Sequence, residues 1–345
     1  MKKHAIIPVF IPHEGCPNDC VFCNQKKITA RTHAEENIDI HAIAASYLST
    51  LNNPRPEVIE MAMFGGSFTG IPIEKQNEYL SIARDYKERG LIDKIHLSTR
   101  PDYINEEILD NLKKYDVDVI ELGVQSFDDE VLRLSERGHD SSVVYRSCRL
   151  IKDYGFTLGI QLMVGLPGDT PEKALYSARE TVKIGPDIAR LYPTIVIEDT
   201  KLLDMYREGA YEPLSLDEAV ERTKEMYKIL FAAGINIIRV GLKSSDIINE
   251  NGEIYGTTFH PAFRQLVESE IAKEEIDAAL ERLLSRENAS PPESALILAN
   301  SRSVSNAAGL KKSNRRYFRK KYPGLKLSIR EDNSLPDYTY KVIPR

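Results

Sequence analysis

Three cysteines lie close together near the N-terminus, in the sequence Gly15-Cys-Pro-Asn-Asp-Cys-Val-Phe-Cys-Asn24. Cys16, Cys20 and Cys23 follow a short apolar run, and the remaining cysteine, Cys148, comes much later in the chain. An iron–sulfur cube of the [4Fe–4S] type normally takes four cysteine ligands. A set of three therefore predicts a cluster with one iron open to a ligand that is not protein, and chemistry can occur at such an iron.

A zinc site is the alternative interpretation, because His13 or a distant histidine would complete a tetrahedral set of four ligands. Zinc sites of this kind usually show a second ligand pair at recognisable spacing, and the sequence has none. Cys148 lies in an amphipathic helical pattern, where a buried thiol is the ordinary expectation. The spacing favours the cluster, with zinc as the alternative.

The elements that must position these cysteines alternate between strand and helix. Apolar, β-branched segments predict strands at His4–Ile11, Val58–Phe64, Lys94–Thr99, Val117–Val124, Thr157–Val164, Ala189–Ile197 and Ile235–Val240. Amphipathic stretches predict helices at Ile40–Leu51, Ile73–Arg89, Glu106–Lys114, Asp129–Leu134, Val143–Tyr154, Pro171–Ile184 and Leu216–Ala233. Such alternation predicts parallel strands joined by crossovers. Because it stops near Leu242, we predict an α/β fold, a partial (β/α)6 TIM-type barrel of about six units.

The chain beyond Lys243 has a different pattern. It predicts helices at Pro261–Leu284 and Ser305–Tyr322 and strands at Ala295–Leu298, Lys326–Ile329 and Tyr338–Ile343. We therefore expect two domains, a partial barrel at 1–243 and a small C-terminal α+β extension at 244–345.

The composition is typical of a cytoplasmic enzyme with no membrane partner. The apolar part of the N-terminal sequence MKKHAIIPVFIPHEG is short and polar residues follow at once, so neither a signal peptide nor a membrane span is expected. Three bunched cysteines do not form a secreted disulfide framework, and the reducing cytosol keeps such thiols available for metal.

The spacing Cys16-x3-Cys20-x2-Cys23, with the aromatic Phe22 before the last cysteine, resembles the signature of the radical S-adenosylmethionine superfamily. This resemblance implies a [4Fe–4S] cluster whose open iron binds S-adenosylmethionine, with Phe22 beside the cofactor. One electron then cleaves S-adenosylmethionine to a 5′-deoxyadenosyl radical, which removes a hydrogen atom from the substrate. A flavodoxin or ferredoxin is the implied low-potential electron donor.

Polar residues at the carboxyl ends of the later strands agree with this resemblance, because active sites of parallel barrels collect there. Gly65, Gly66 and Ser67 end the second strand, where glycines let the main chain approach a small ligand closely. An ordinary βα turn is the alternative for the glycines. Arginine grips carboxylates bidentately, so Arg100 or Arg190 is a candidate for the methionine carboxylate. Gln125 and Gln161 are candidates for hydrogen bonds to the ribose or the methionine.

A closer resemblance is carried by Arg100-Pro-Asp102, Gly123-Val-Gln-Ser126, Arg137-Gly-His139, Gly165-Leu-Pro-Gly168 and His260-Pro-Ala-Phe263. Together these are similar to the radical domain of the Elongator catalytic subunit and its bacterial relatives, over about residues 4–265. Oxygen-independent coproporphyrinogen oxidase shares part of the pattern. The resemblance implies tRNA as the substrate. The cysteine spacing is narrower than in the Elongator subunit, and only about a hundred residues follow, without a Gly-rich acyl-coenzyme-A loop. Carboxymethylation as a single-chain activity is therefore not expected.

Two histidines belong to these motifs. His139 follows the Gly138 turn and is the candidate for a substrate contact, with a loop-anchoring role as the alternative. His260 precedes Pro261 and is expected to anchor the start of a helix.

The positive charges are concentrated in one segment. The net charge is −6, from 46 basic and 52 acidic residues, which by itself does not indicate a nucleic-acid-binding protein. Seven of the eleven residues from Lys311 to Lys321 are nevertheless basic. Lys312, Arg315, Arg316 and Arg319 recur at spacings that place them on one helical face, which predicts an RNA-backbone patch; a solvated helix is the alternative.

The leading functional hypothesis is a radical S-adenosylmethionine enzyme that acts on tRNA. A porphyrinogen-like small-molecule radical oxidase and a non-catalytic, metal-stabilised RNA-binding protein are the alternatives.

Overall fold

The computed structural model describes residues 4–11, 20–24, 38–51, 54–242, 254–285 and 292–345. The chain divides into two compact units. The larger unit comprises Met1–Ala219 and Glu225–Phe259, and the smaller unit comprises Val220–Lys224 and His260–Arg345. Lys243, where we predict the domain boundary, lies outside the described residues, and that boundary stays a prediction.

Strands and helices alternate through the larger unit as predicted. In chain order they are β1 (His4–Ile11), α1 (Ile40–Thr50), β2 (Val58–Gly65), α2 (Ile73–Glu88), β3 (Lys94–Thr99), α3 (Glu106–Lys114), β4 (Val119–Gln125), α4 (Asp129–Leu134), α5 (Ser141–Asp153), β5 (Thr157–Val164), α6 (Pro171–Ile184), β6 (Ile188–Pro193), β7 (Val196–Ile197), α7 (Lys201–Arg207), α8 (Leu216–Ala232), β8 (Asn236–Val240) and β9 (Ile254–Tyr255). Among these described helices and those of the smaller unit, none is long and apolar enough to cross a membrane.

The main sheet is parallel and has the order β1-β2-β3-β4-β5-β6-β8. Its sequential order with helical crossovers confirms the predicted partial TIM-type barrel. The sheet contains seven strands, one for each of the seven strands predicted from the sequence. The predicted strand Ala189–Ile197 is wrong in one respect, because β6 ends at Pro193 and β7 pairs instead with β9, antiparallel. A proline has no N–H to continue a ladder, which favours this break.

Helix starts in the larger unit follow the expected capping chemistry. The side chains of Asn105, Asp128, Asp140, Thr170 and Ser215 each accept a backbone N–H from the first turn of the following helix. At Ser215 the bond is reciprocal, because Glu218 accepts the N–H of Ser215 in return. These caps satisfy donors that a helix start otherwise leaves without partners.

The two faces of the main sheet differ in burial. In β5, Leu158, Ile160, Leu162 and Val164 are buried, whereas Gln161 and Met163 on the opposite side are half-buried. The same alternation holds in β1, where Ile7 and Val9 are buried and Phe10 is exposed. We call the side that carries Gln161 and Met163 the open face, and it carries most of the polar side chains of the sheet.

The smaller unit is an α+β fold, as predicted for the extension. Its elements are α9 (Phe263–Leu284), β10 (Ser294–Ala299), α10 (Val304–Ala308), α11 (Ser313–Lys321), β11 (Lys326–Glu331) and β12 (Lys341–Pro344). Strand β10 is central, parallel to β11 and antiparallel to β12. Ile276, Leu280, Ile297 and Phe318 form the core with their neighbours.

The single helix predicted over Ser305–Tyr322 is wrong. Helix α10 ends at Ala308, a 3-10 turn spans Leu310–Lys312, and α11 begins at Ser313. Gly309, Lys311 and Lys312 all have positive φ angles, of 73°, 50° and 63°. Such backbone cannot belong to a right-handed helix, so the chain turns between α10 and α11.

Candidate functional site

The strand pairing brings interior polar residues of five strands onto the open face. Directly paired residues share a face of the sheet, and the relevant pairs are Ile6 with Glu60, Ala62 with His96, Ser98 with Glu121, Gly123 with Gln161, and Gln161 with Arg190. Because side chains alternate, Glu60, His96, Glu121, Gln161 and Arg190 all lie on this face. Their strands belong to the scaffold, so the polar groups are positioned rigidly.

Four of these side chains form a buried network of charges. Arg190 Nε lies 2.7 Å from Glu121 Oε2, and His96 Nε2 lies 3.7 Å from the same oxygen. His96 Nδ1 is 3.2 Å from Glu60 Oε2. Burial opposes ionisation of Glu60, but the hydrogen bond and charge of His96 lower the pKa of its carboxyl below the ordinary value. The network therefore holds ionised groups in a region that excludes most water.

Two backbone hydrogen bonds hold Val21, which lies between Cys20 and Cys23. Val21 N–H donates to the Ser135 carbonyl at 3.2 Å, and Leu202 N–H donates to the Val21 carbonyl at 2.8 Å. The Val21 side chain is buried in an apolar cluster with Val196 and Leu202, against which Phe22 also packs. The structure therefore places Phe22 on this cluster, and its predicted contact with the cofactor stays a prediction.

The sulfur of Cys20 meets two buried guanidinium groups. Arg137 Nη1 lies 3.2 Å and Arg100 Nη1 lies 3.5 Å from Cys20 Sγ. All three residues are buried. A thiolate bound to a metal cluster carries negative charge, and N–H donors stabilise it and tune the cluster. The donor set at Cys20 thus fits an iron–sulfur ligand; Cys16 lies outside the described residues, and Cys23 follows in the same turn, with its N–H on the Cys20 carbonyl at 2.9 Å.

Arg100 and Arg137 are held by further bonds. Arg100 grips Asp102 with two hydrogen bonds, Nε to Oδ1 at 2.9 Å and Nη2 to Oδ2 at 2.8 Å, and also donates to the Arg137 carbonyl. This arginine lowers the pKa of the Asp102 carboxyl against the opposing effect of burial. Arg137 donates to the Gly123 carbonyl. Its Nε is buried without a hydrogen-bond partner among the residues the structure describes.

His139 lies beside this arginine pair. Burial, and then the charge of Arg137, lowers the pKa of His139 to about 4. The imidazole is therefore neutral near pH 7. Its Nδ1 is 3.2 Å from the Asp140 carbonyl, and its Nε2 is buried without a hydrogen-bond partner in the described part of the chain. The predicted role of His139 in contacting substrate stays a prediction.

The glycine motif ends β2 beside the end of β1. Gly65 pairs with Ile11 and has a φ of 107°, which only glycine adopts readily. The N–H of Gly66 points to the Ile11 carbonyl at 3.5 Å, and Ser67 is buried. The motif is therefore next to the point where the chain enters the cysteine segment.

The two predicted glutamines meet. Gln161 Nε2 donates to Gln125 Oε1 at 3.2 Å. Gln125 ends β4 after a register shift and has a φ of 70°. A bulge redirects a side chain, and a non-glycine residue in the left-handed region stores strain that often accompanies function. The amide pair lies on the open face, and its predicted contact with a ligand stays a prediction.

Several residues of the site were not singled out from the sequence. Glu60, His96 and Glu121 were missed, although each is an ionisable residue inside an apolar strand, which is the signal that would have found them. Asp102 and Arg137 belong to quoted motifs, but neither was assigned a role. Cys148 is buried in α5, which confirms the simple interpretation of that thiol.

The predicted nucleic-acid residues lie in the smaller unit. Lys312, Arg315, Arg316 and Arg319 are all exposed. His260 Nδ1 accepts the Ala262 N–H at 2.9 Å just before α9, which confirms its predicted role at a helix start.

Comparison with known proteins gives two family matches. Residues 10–180 match the family model described as Radical SAM superfamily, and residues 186–273 match the model described as Radical_SAM C-terminal domain. Together these two regions cover most of the chain, including all three clustered cysteines.

Curated relatives agree with these matches. The chain is 31% identical over 260 residues to human Elongator complex protein 3, covering 63% of this chain and 48% of that protein. It is also 31% identical over 183 residues to tRNA uridine(34) acetyltransferase of Methanocaldococcus infernus, covering 47% and 34% respectively. The chain thus spans about half the length of these relatives or less.

A solved structure shares the fold. The archaeal Methanocaldococcus infernus Elp3 with an N-terminal deletion superposes with a TM-score of 0.64 at 23% identity, covering 79% of this chain and 64% of that one.

Proposed function

The chain belongs to the radical S-adenosylmethionine superfamily, and from this premise we propose that it cleaves S-adenosylmethionine reductively at a [4Fe–4S] cluster and directs the resulting radical to a tRNA. The observation that carries the proposal is the placement of Cys20 Sγ against two buried arginines. When bound, the cluster and S-adenosylmethionine supply one-electron chemistry that ends in a 5′-deoxyadenosyl radical.

The chain's own residues would bind, orient and shield these groups. Cys16, Cys20 and Cys23 would hold the cluster, with Arg137 and Arg100 donating to the Cys20 sulfur. Main-chain groups at Gly65 and Gly66 would contact the methionine end of the cofactor, since no side chain obstructs them. The Gln125–Gln161 pair would hydrogen-bond the ribose or the methionine.

Apolar side chains of the open face would keep water from the reacting atoms. Phe64 at the end of β2 stacks on Arg190, 4.8 Å from ring centre to guanidinium carbon, and is only half-buried. Met163 and Phe10 lie on the same face. A radical needs such an environment, because a dry site suppresses side reactions.

The proposal that the substrate is a tRNA is supported by the relatives, one of which is named for a tRNA uridine. A low-potential flavodoxin or ferredoxin would deliver the electron, and the cytoplasm, where such thiols stay reduced, would be the compartment.

Anaerobic reconstitution tests the cleavage. Protein supplied with iron, sulfide and dithionite is expected to convert S-adenosylmethionine to 5′-deoxyadenosine, measured by liquid chromatography and mass spectrometry. Cys20→Ala should abolish the product. Cys148→Ala, which removes a buried thiol outside the cluster loop, is the matched control and should retain it. Absence of product from the wild type, or full activity of Cys20→Ala, overturns the proposal.

The tRNA assignment has its own test. Nucleosides of total tRNA from cells with and without the gene are compared by mass spectrometry, and loss of one modified nucleoside is expected. An unchanged profile contradicts a tRNA substrate and leaves the cleavage reaction standing.

A further inference from the structure

We propose that the smaller unit binds the phosphate backbone of the RNA substrate on an exposed surface formed by Lys311, Lys312, Arg315, Arg316, Arg319 and Lys320, here called the basic surface. This inference rests on the proposed function for the identity of the RNA as substrate. The surface itself is argued from charge, exposure and local geometry.

Charge is unevenly distributed between the two parts of the chain. The whole chain is acidic, with 46 basic against 52 acidic residues. Residues 260–345 reverse this balance, with 16 basic and 11 acidic residues. Residues 294–330 contain ten lysines and arginines and no aspartate or glutamate. A local positive potential on an acidic protein is what attraction of a polyanion requires.

The cations of the basic surface are exposed and carry no counter-ion from the described part of the chain. None of the six forms an ion pair there, although other basic residues of the unit do. Lys321 lies 2.5 Å from Asp277 and 2.8 Å from Glu281, and Arg302 lies 2.8 Å from Asp337. Lys321 and Arg302 are therefore neutralised by carboxylates of the same unit, whereas the six cations of the basic surface are available to bind an external anion.

Helix α11 turns this group outward. Asn314 and Phe318, one turn apart, are buried, and Asn314 Nδ2 donates to the carbonyls of Ser269 and Asn306 at 2.8 and 3.0 Å. At about 100° per residue, Arg315, Arg316, Arg319 and Lys320 occupy an arc on the side away from these two residues. The buried side fixes the helix, so the four cations project from one outer arc of it.

The turn before α11 adds two more cations at a strained backbone. Lys311 and Lys312 both adopt left-handed φ angles, which lysine rarely does. Arg316 Nη1 donates to the Lys311 carbonyl at 2.5 Å and ties the turn to the helix. The turn places Lys311 and Lys312 immediately before the N-terminal end of α11, where the helix dipole also favours anions. Strained backbone of this kind is common at ligand-binding positions.

The chemistry of the surface favours RNA over a protein or a membrane. Three of the six cations are arginines, whose planar fork matches a phosphate bidentately. A membrane-binding helix needs an exposed apolar side, but in α11 Phe318 is buried in the core of the unit and the exposed aromatic residue, Tyr317, donates its hydroxyl to Asp277. Protein interfaces are typically depleted in lysine and centred on apolar anchors, and the six residues of the basic surface are all charged.

Binding of an unmodified tRNA transcript to the anaerobically reconstituted full chain tests the assignment, with affinity measured over a series of salt concentrations. Each lost phosphate contact reduces the slope of log K against log salt by about 0.7 to 0.9. Replacing Arg315, Arg316 and Arg319 together by glutamine should therefore reduce the slope by about 2 and weaken binding roughly 100-fold near 0.1 M salt. The charge-preserving replacement of the same three residues by lysine should retain most of the slope.

The matched control replaces Lys114, Arg149 and Arg179, three exposed cations of the larger unit, by glutamine and makes the same change in net charge. It should bind tRNA as the wild type does. Equal affinity of the two glutamine variants, whether both weak or both strong, overturns the proposal. A poly-glutamate peptide that binds as tightly as tRNA would show that the surface selects acidic protein instead, and also overturns it.

Formation of 5′-deoxyadenosine without RNA separates this proposal from the proposed function. The glutamine variant of the basic surface should retain that activity. A wild-type protein that cleaves S-adenosylmethionine but binds no tRNA refutes the basic surface alone. The opposite outcome is also distinguishable. If the wild type binds tRNA but yields no 5′-deoxyadenosine, and the glutamine variant loses tRNA binding, the basic surface is supported and the cleavage is refuted.

Discussion

Replacing Arg190 by methionine removes one partner of the buried charge network on the open face. Arg190 Nε lies 2.7 Å from Glu121 Oε2, and the two side chains are 10% and 2% exposed. Methionine fills much of the space of the arginine stem but leaves the Glu121 carboxylate without its strongest partner. The expected result is a large loss of stability in the larger unit.

The magnitude follows from the burial of the pair. Breaking a buried ion pair by removing one partner costs about 3–5 kcal/mol. Ser98 Oγ still donates a hydrogen bond to Glu121 Oε1, at 3.4 Å, so we take the lower end of this range, about 3 kcal/mol. The larger unit has about 250 residues, so its unfolding entropy is about 0.5 kcal/mol per kelvin, and the midpoint should fall by about 6 °C.

Differential scanning calorimetry measures this shift, with Arg190→Lys and the double variant Glu121→Gln with Arg190→Met as controls. The double variant no longer buries a lone carboxylate and should recover at least half of the loss. Arg190→Lys keeps the charge and should fall between wild type and Arg190→Met. A shift below about 1 °C for Arg190→Met, or a double variant no more stable than that single one, refutes the reasoning.

Three further changes test other parts of the structure. Burial raises the pKa of Cys148 to about 12, so this thiol should resist iodoacetamide near pH 8 in the native protein and react after unfolding in urea. Rapid labelling of the native protein, measured by mass spectrometry, would contradict the burial of this thiol. The pKa of His139 is about 4 in the folded protein, against an ordinary value of 6.5. As the pH falls, the unfolded state therefore binds a proton before the folded state does. The free energy of unfolding should drop by up to about 3 kcal/mol between pH 6.5 and pH 4. Urea titrations of wild type and His139→Gln should show this dependence only in the wild type, and parallel curves would refute it. Gly309→Ala places a Cβ 2.6 Å from the Asn314 backbone nitrogen, whereas Gly324→Ala, also at positive φ, meets nothing within 4 Å; the first should therefore destabilise the smaller unit by at least about 1 kcal/mol more than the second in calorimetry, and equal losses would be inconsistent with this packing.

The regular part of the fold was accessible from sequence because its elements repeat one physical pattern. Each buried strand of the larger unit is an apolar run of suitable length, and the predicted bounds of β1, β3 and β5 match those of the structure. The predictions fail where one or a few residues break the hydrophobic periodicity. Pro193 ends β6 inside an apolar run, and Gly309 with Lys311 and Lys312 breaks a helical pattern that is otherwise continuous.

The candidate site was only partly accessible, because pairing across strands is not written in local sequence. The cysteine spacing and the residues at strand ends predict a site at the carboxyl edge of the sheet, and that site stays a prediction. The pairing of Glu121 with Arg190 depends on strands separated by β5, and the approach of Arg137 to Cys20 joins residues far apart in the chain. Such contacts follow from register and loop docking, which hydrophobic pattern alone does not determine.

The structure also distinguishes between the two arginines that were equal candidates for a ligand carboxylate. Arg100 commits Nε and Nη2 to Asp102 and Nη1 to Cys20. Arg190 Nε lies 2.7 Å from Glu121 Oε2 and its Nη1 donates to the Tyr192 hydroxyl at 3.3 Å, and no carboxylate in the described residues binds its two terminal nitrogens together. A ligand carboxylate binds most strongly to a guanidinium group whose paired N–H donors are not already bound to a protein carboxylate. We therefore infer that Arg190 is the better candidate for the ligand carboxylate, and that Arg100 serves the cysteine side of the site.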